Sequence, residues 1–402
     1  METRFLRNAI TLGLLSAIGP FAIDMYLPAL PDIGRSLHAD TSAVQLSLTV
    51  FFIALSLGQS IYGPLSDMIG RKAPLYIGLA LFSISSVGCA LAPSIGTLIA
   101  FRFLQGIGAC AGMVIPRAIV RDLHTGLDAT RLMSLLMLVF SISPILAPLT
   151  GSFVIQLAGW RAVFWTVLAA AVIGAFILST LPETRTPAER AGSSVRGAIA
   201  AYGLLLRDRH FLGLAFIGAF GISSFFVYLS NSPFVLIEHY HLTPRQYSVC
   251  FSANAASFFA MAQLTSRLAA RFGLRRLVRA AVVIYAAVLV ALLAVFASGV
   301  DNLFVLAAFL FAGYGCLGVF MPATSVLALE DHGAIAGTAS ALIGTIQFVT
   351  GAVIMVFSAT FQNGTALPMV AGIAACAAIS MVLAQTTVRG GEHEAAPEPA
   401  TD

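Results

Sequence analysis

The sequence predicts an all-α polytopic membrane protein, with twelve transmembrane helices in two six-helix bundles. Three observations predict it. First, only 10% of the 402 residues are charged and 58% are hydrophobic, whereas an average soluble chain carries about 25% charge. So few charges cannot cover the surface of a soluble protein of this size. Second, mean hydropathy is +0.92, and apolar runs near the roughly 20 residues that cross a bilayer recur along the whole chain. Third, the longest internal polar stretch, 182–210, divides those runs six and six. This composition excludes a disordered chain, a disulfide scaffold and a nucleic-acid binder.

The runs cover about 8–30, 42–64, 73–92, 96–118, 131–157, 163–181, 211–236, 245–266, 277–297, 303–329, 334–361 and 367–388. The first is basic at its front, but it continues through Tyr26-Leu27-Pro28-Ala29-Leu30-Pro31 without a small-x-small cleavage pattern, so it reads as an uncleaved helix. Span 5 contains Ser143-Pro144-Ile145-Leu146-Ala147-Pro148-Leu149-Thr150-Gly151-Ser152. Its prolines remove backbone donors and its small residues allow close packing, so Pro144, Pro148 and Gly151 are candidates for packing or gating. After span 2 comes Gly63-Pro64-Leu65-Ser66-Asp67-Met68-Ile69-Gly70-Arg71-Lys72. After span 8, Ser266-Arg267-Leu268-Ala269-Ala270-Arg271-Phe272-Gly273-Leu274-Arg275-Arg276 repeats its order of a small residue, a leucine, a glycine and paired basics. Two repeated halves are a transporter architecture.

Basic residues set the orientation. With the N-terminus inside, 18 of the 22 Arg and Lys residues fall on inner segments, three fall outside, and Arg102 lies within a span. Both ends are therefore expected in the cytoplasm. The expected organisation is an N-terminal bundle over 1–181, a cytoplasmic linker over 182–210, a C-terminal bundle over 211–388 and a disordered tail over 389–402. The sole lysine, Lys72, stands in Gly70-Arg71-Lys72-Ala73, which cannot make a nucleotide-binding P-loop. The five cysteines lie in apolar runs without a Cys-x-x-Cys pair, and the histidines fall in polar connectors or tails. No metal or cofactor is expected, and no enzyme activity, because no histidine and only one carboxylate lie within spans.

Asp24 and Arg102 are the two ionisable residues clearly inside spans, and such charges are costly enough to suggest function. Each falls about six residues, roughly 9 Å, below the outer boundary. They could share a cavity and exchange a proton, or simply lock two helices together. Polar and aromatic residues also recur inside spans, and Tyr26, Gln105, Tyr228, Asn231, Asn254, Gln347 and Phe348 are the candidates for substrate contact. The alternative for each is packing or an interhelical hydrogen bond. Arg117 reads as a solvated helix end.

The chain resembles the major facilitator superfamily, and within it the twelve-helix drug:proton antiporters. Gly63 to Lys72 is similar to the superfamily's loop between helices 2 and 3, and Arg102-Phe103-Leu104-Gln105-Gly106-Ile107-Gly108-Ala109 to the helix 4 motif linked to proton coupling. Ser143, Ala147 and Ser152 replace glycines of the antiporter motif in helix 5. Asp24-Met25-Tyr26-Leu27-Pro28-Ala29-Leu30-Pro31, Arg121-Asp122, Leu181-Pro182-Glu183-Thr184 and Gly337-Thr338-Ala339-Ser340-Ala341-Leu342 resemble the Bcr/CflA branch of bicyclomycin and chloramphenicol exporters. The resemblance implies proton-coupled efflux of amphipathic small molecules from the bacterial inner membrane by alternating access. Asp24 and Arg102 would couple the proton, and Asp67, Arg71 and Asp122 would form a cytoplasmic gate. Helices 1, 4, 5, 7, 8, 10 and 11 would line the cavity. Small-molecule substrate, protons and lipid are the expected partners, with the protein acting as a monomer. A metabolite transporter for a sugar or nucleoside, or a non-transporting sensor, are the alternatives.

Overall fold

In a computed structural model of the chain, residues 2–124, 126–186, 201–332 and 335–388 are described. Most of the expected linker, 187–200, and the expected tail, 389–402, lie outside the described residues. Among the described residues there are twelve long helices: α1 (Glu2–Asp24), α2 (Thr41–Ile69), α3 (Lys72–Ala90), α4 (Ile95–Leu123), α5 (Gly126–Ala158), α6 (Arg161–Ser179), α7 (Arg209–Pro233), α8 (Pro244–Phe272), α9 (Leu274–Ala297), α10 (Leu303–Glu330), α11 (Ala336–Ala359) and α12 (Leu367–Thr387). Eleven of the segments are long and apolar enough to cross a membrane. The exception, α8, is as long as α2 but carries Ser248, Ser252, Asn254 and Ser257, all buried. Its polar side chains are hidden among neighbouring helices, where their hydrogen bonds can be met.

Local chemistry starts these helices. Asp40 accepts from the N–H of Ala43 at 3.2 Å, and Ser94 from that of Thr97 at 3.3 Å. Asn302 accepts from Phe304 at 2.8 Å, and Thr243 and Gln246 form a reciprocal capping box on α8. Gly70 and Gly273 stop α2 and α8 at φ of 97° and 78°, a region closed to most side chains. They occupy matching positions in the two repeated segments, so the repeat extends to backbone conformation.

Two differences from the sequence reading have clear causes. Helices α2, α4 and α8 run past the ends of their apolar runs, because a helix does not stop where the bilayer does. The first span is broken: α1 ends at Asp24, a 3₁₀ turn covers Leu27–Ala29, and a short helix follows over Leu30–Leu37. Pro28 has no N–H to give the Asp24 carbonyl, so the α-helical ladder cannot continue there. Asp24 is therefore the last residue of its helix and does not lie six residues inside it.

The faces of the molecule differ in charge. The face carrying the α2–α3 and α8–α9 turns is rich in arginine and is called the basic face below; the opposite one is the sparse face. The halves, α1–α6 and α7–α12, meet chiefly where α2 packs on α11 and α5 on α8. Their polar contacts lie towards the sparse face. Ser42 donates to the Ala359 carbonyl at 3.3 Å, and Arg35 faces Glu238 at 3.6 Å. From α8, Ser248 and Ser252 donate to the carbonyls of Pro148 and Ile145 at 2.8 and 2.7 Å. On the basic face the halves diverge around a cleft of about 630 Å³.

Candidate functional site

Arg102 is fully buried and sits at the C-terminal end of α1. Its guanidinium carbon lies 4.4 Å from the centroid of the Tyr26 ring and 4.2 Å from that of Phe51. Nη1 donates to the Ala22 carbonyl at 3.2 Å and to Gln105 Oε1 at 2.7 Å. Gln105 in turn donates to Ser86 Oγ at 2.8 Å, and the Tyr26 hydroxyl pairs with Ser47 at 2.6 Å. A cation between two aromatic faces gains electrostatically, more so when desolvated. Arg102 thus grips residues on both sides of Asp24 in the chain. No ion pair joins it to Asp24 among the described residues, and its Nε and Nη2 have no hydrogen-bond partner.

The glycines after Arg102 explain their spacing. A Cβ at Gly106 would fall 2.6 Å from the Phe51 carbonyl oxygen, and one at Gly108 2.6 Å from that of Gly78. Only glycine lets α4 lie this close to both α2 and α3. Gly151 does the same for α5: a Cβ there would stand 2.4 Å from the Met25 carbonyl oxygen, next to Asp24. Asp24 is buried at 5% exposure at this junction. Pro144 and Pro148 lie within an unbroken α5, whose carbonyls near them receive the two serines of α8.

The residues picked for substrate contact divide into groups. Tyr26 and Gln105 belong to the Arg102 shell. Asn231 is fully buried in the seal between halves, accepting from Gln45 Nε2 at 3.0 Å and donating to Ser358 Oγ at 2.8 Å. Asn254 donates to the Tyr228 hydroxyl at 3.0 Å, and the Tyr228 ring stacks on Phe251 at 5.8 Å. Phe348 stacks on Phe226 and Phe52 at 5.9 and 5.7 Å, closing the space between halves. Gln347 is half-buried beside Gly218. None of the seven lines the basic-face cleft. The cleft walls come instead from α2 (Gln59, Gly63, Met68), α4 (Val114, Arg117, Arg121), Met133 of α5, Tyr202 and α11 (Ala336, Gly337, Thr338, Ser340, Ala341). Of the helices expected to line it, α4, α5 and α11 do; α1, α7, α8 and α10 do not, and α2 takes their place.

At the rim of the cleft, Arg71 binds Asp122 with two nitrogens, Nε at 2.7 Å and Nη2 at 3.2 Å. Its Nη1 donates to Asp67 Oδ1 at 2.7 Å and to Ser66 Oγ at 2.8 Å. The start of the linker is tied into the same cluster. Arg185 Nη1 donates to Asp67 at 2.6 Å, and Thr184 Oγ1 to Asp122 at 3.0 Å. Glu183 accepts the backbone N–H groups of Arg71 and Lys72 at 2.9 and 3.1 Å, capping the N-terminus of α3. Partial burial pushes its carboxyl up, but donors from Arg71, Lys72, Arg185 and Thr184 outweigh this and hold it below the usual range. The sequence reading placed Asp67, Arg71 and Asp122 together, and they are together. It missed Ser66, Gln45 and the roles of Glu183 and Arg185. For Glu183 the available signal was a carboxylate directly after Pro182 at a helix end.

The sequence matches the Major Facilitator Superfamily over residues 12–355. The chain belongs to that superfamily. This facilitator is 37% identical to the MFS-type transporter YdgK of Bacillus subtilis over 90% of both chains. It is 30% identical to the multidrug resistance protein MdtL of Escherichia coli over 95% of both. It is 29% identical to the bicyclomycin resistance protein homolog of Haemophilus influenzae, over 93% of this chain and 94% of that one. Among solved structures, a D-xylose–proton symporter superposes with a TM-score of 0.72 at 16% identity, covering 95% of this chain and 98% of that one. The nucleoside transporter NupG does so with a TM-score of 0.71 at 17% identity, covering 94% and 98%. The twelve-helix facilitator fold is thus shared with proteins of very different sequence, and the chain is a multi-pass membrane protein.

Proposed function

We propose that this facilitator exports amphipathic small molecules, drugs and antibiotics among them, across the bacterial inner membrane in exchange for protons. In this reading the protein acts as a monomer, both ends are cytoplasmic, and the basic face is the inner one. The present state is then inward-open: sealed outside by the Gln45–Asn231 contact and the Phe52–Phe226–Phe348 stack, and open inside at the cleft. The observation that carries the reading is the near-full-length similarity to MdtL and the bicyclomycin resistance homolog. Asp24 supports it as a buried carboxylate at a break in α1, beside the junction of the halves.

Asp24 is the proton carrier in this mechanism, and Arg102 positions it by holding Ala22 and Tyr26. Alternation between a shut and a wetted surrounding changes the balance between carboxyl and carboxylate. The Arg71–Asp67–Asp122 cluster, expected as an inner gate that breaks on inward opening, is intact beside the open cleft; its partners all belong to the first half and the linker, so in this state it braces the rim of one half and does not latch the two together. One proton moving inward through 100 mV supplies about 2.3 kcal/mol, enough for roughly a fiftyfold gradient of a neutral solute exchanged one for one.

The test is dye or antibiotic accumulation in an efflux-deficient strain. Expression is expected to lower accumulation, a protonophore to restore it, and Asp24→Asn to behave as the empty strain does. Normal, gradient-driven efflux by Asp24→Asn would remove Asp24 from the mechanism.

A further inference from the structure

The basic-face cleft carries positive charge that its own ion pairs do not cancel. Asp67, Arg71, Arg117 and Arg121 are the ionised side chains lining it. Asp67 is met by both Arg71 and Arg185, and Arg71 also by Asp122. Arg117 and Arg121 have no carboxylate partner among the described residues. They stand four residues apart on α4, hence on one side of it and about 6 Å apart in depth. The ring of Phe140, centred 4.9 Å from the Arg117 guanidinium carbon, covers one face of that group and leaves its edge N–H groups open.

Arg121 looks across the cleft at the other half. A Cβ on Gly337 would lie 3.7 Å from its Nη1. Gly337 is the second residue of α11, whose N-terminus has no side-chain cap. A guanidinium therefore meets the positive end of a helix dipole, whose first N–H groups take no side-chain cap from Ile335. These groups repel each other until an anion comes between them, and both are built to hold one. Deeper along the cleft the lining has Val114 and the amide of Gln59, with the apolar Pro64, Met133 and Ala341 nearer the arginines.

The geometry points to a substrate class: amphiphilic small molecules bearing one anionic group, a carboxylate in the first instance. The anion sits between Arg117, Arg121 and the start of α11, and the apolar body lies deeper in the cleft, towards Val114. This deepens the export reading and rests on it. Expulsion of an anion from a negative-inside cell also runs with the membrane potential.

The probes are radiolabelled 2-naphthylacetate, its neutral amide and 2-naphthylethylammonium. Equilibrium binding is measured on the full-length protein in phosphatidylcholine nanodiscs. The carboxylate is expected to bind at least about tenfold more tightly than the ammonium, and Arg117→Gln and Arg121→Gln each to weaken it about tenfold. Amide binding should change by less than about twofold, which also reports that the variants are folded. Equal binding of the three probes overturns the assignment, as does equal weakening of all three by the variants. Repeating the measurement with phosphatidylglycerol separates a lipid source. If that lipid abolishes carboxylate binding and spares the amide, the arginines hold a headgroup and the substrate assignment fails. Protonophore-sensitive uptake of the amide into inverted vesicles is scored separately; its absence counts against export and leaves the binding result intact.

Discussion

Gln45 of α2 donates its side-chain N–H to Asn231 Oδ1 of α7 at 3.0 Å, so a buried amide pair joins the two halves. The same Gln45 nitrogen reaches the Ser230 carbonyl at 3.0 Å, and Asn231 holds Ser358 of α11. Gln45 Oε1 has no partner among the described residues. The seal is thus specific yet incompletely satisfied, as a contact that must open repeatedly should be.

Asn231→Leu should open that seal. It leaves the Gln45 amide buried without its side-chain acceptor, at a cost to the closed state of about 1–3 kcal/mol. Spin labels at Arg35→Cys and Glu238→Cys, on a background without native cysteines, report the separation of the sparse face. The variant is expected to populate longer distances. An unchanged distribution would mean that the amide pair does not hold the halves.

Arg71 should be the least replaceable member of the basic-face cluster. Its side chain is 5% exposed and serves both Asp122 and Asp67. Arg71→Ala leaves those carboxylates facing each other and is expected to cost about 3 kcal/mol. Asp67→Asn should cost less, because Arg71 keeps its two bonds to Asp122. Arg71→Lys should fall between them, since an ammonium cannot reproduce the forked grip. Thermal unfolding in detergent should give this order.

Much of this arrangement was legible in the sequence, for a physical reason. Span count follows from apolar length, and the Asp67–Arg71–Asp122 cluster and the buried Arg102 carry motifs of their own. The break after Asp24 was not foreseen, because apolarity continues through Leu27 and Leu30 while Pro28 interrupts the ladder. The roles of Tyr228, Asn231 and Phe348 were not legible at all. A polar or aromatic residue in a span can face a cavity, a neighbouring helix or the other half. Which of these holds depends on how the halves are tilted, and tilt leaves no local pattern. Gln45 was missed for the same reason: its partner is 186 residues away.

Arg102 and Asp24 should separate on mutation. Arg102 contacts α1, α2 and α4 in a buried site, so Arg102→Ala removes two cation–π contacts and strands Gln105 Oε1. A loss of about 2–4 kcal/mol of stability is expected. Asp24 has no hydrogen bond or ion pair to lose among the described residues, so Asp24→Asn should melt within a few degrees of the parent while failing in transport. Arg102→Lys should not restore stability, because an ammonium cannot lie flat between Tyr26 and Phe51 while reaching both Ala22 and Gln105. Equal melting of all three variants would contradict a clamping role for Arg102.

Glu183 gives a prediction with a pH window. Its carboxylate accepts N–H groups at the start of α3 and is held below the ordinary 4.5, with burial opposing and the backbone donors prevailing. A carboxyl lowered by folding stabilises the fold above its unfolded value, and that contribution is lost as pH falls through the lower folded value. Glu183→Gln should therefore melt earlier than the parent at pH 7. The difference should be under about 1 kcal/mol, because the group is largely exposed to screening solvent. It should persist down to about pH 5.5, shrink as pH passes 4.5 and close below the folded value. A gap that closed between pH 7 and pH 5 would remove Glu183 as its source. A gap that closed only in stronger acid would place the stabilising charge on Glu183, and would make the first residues of the linker a fastening of α3 to the Arg71 cluster.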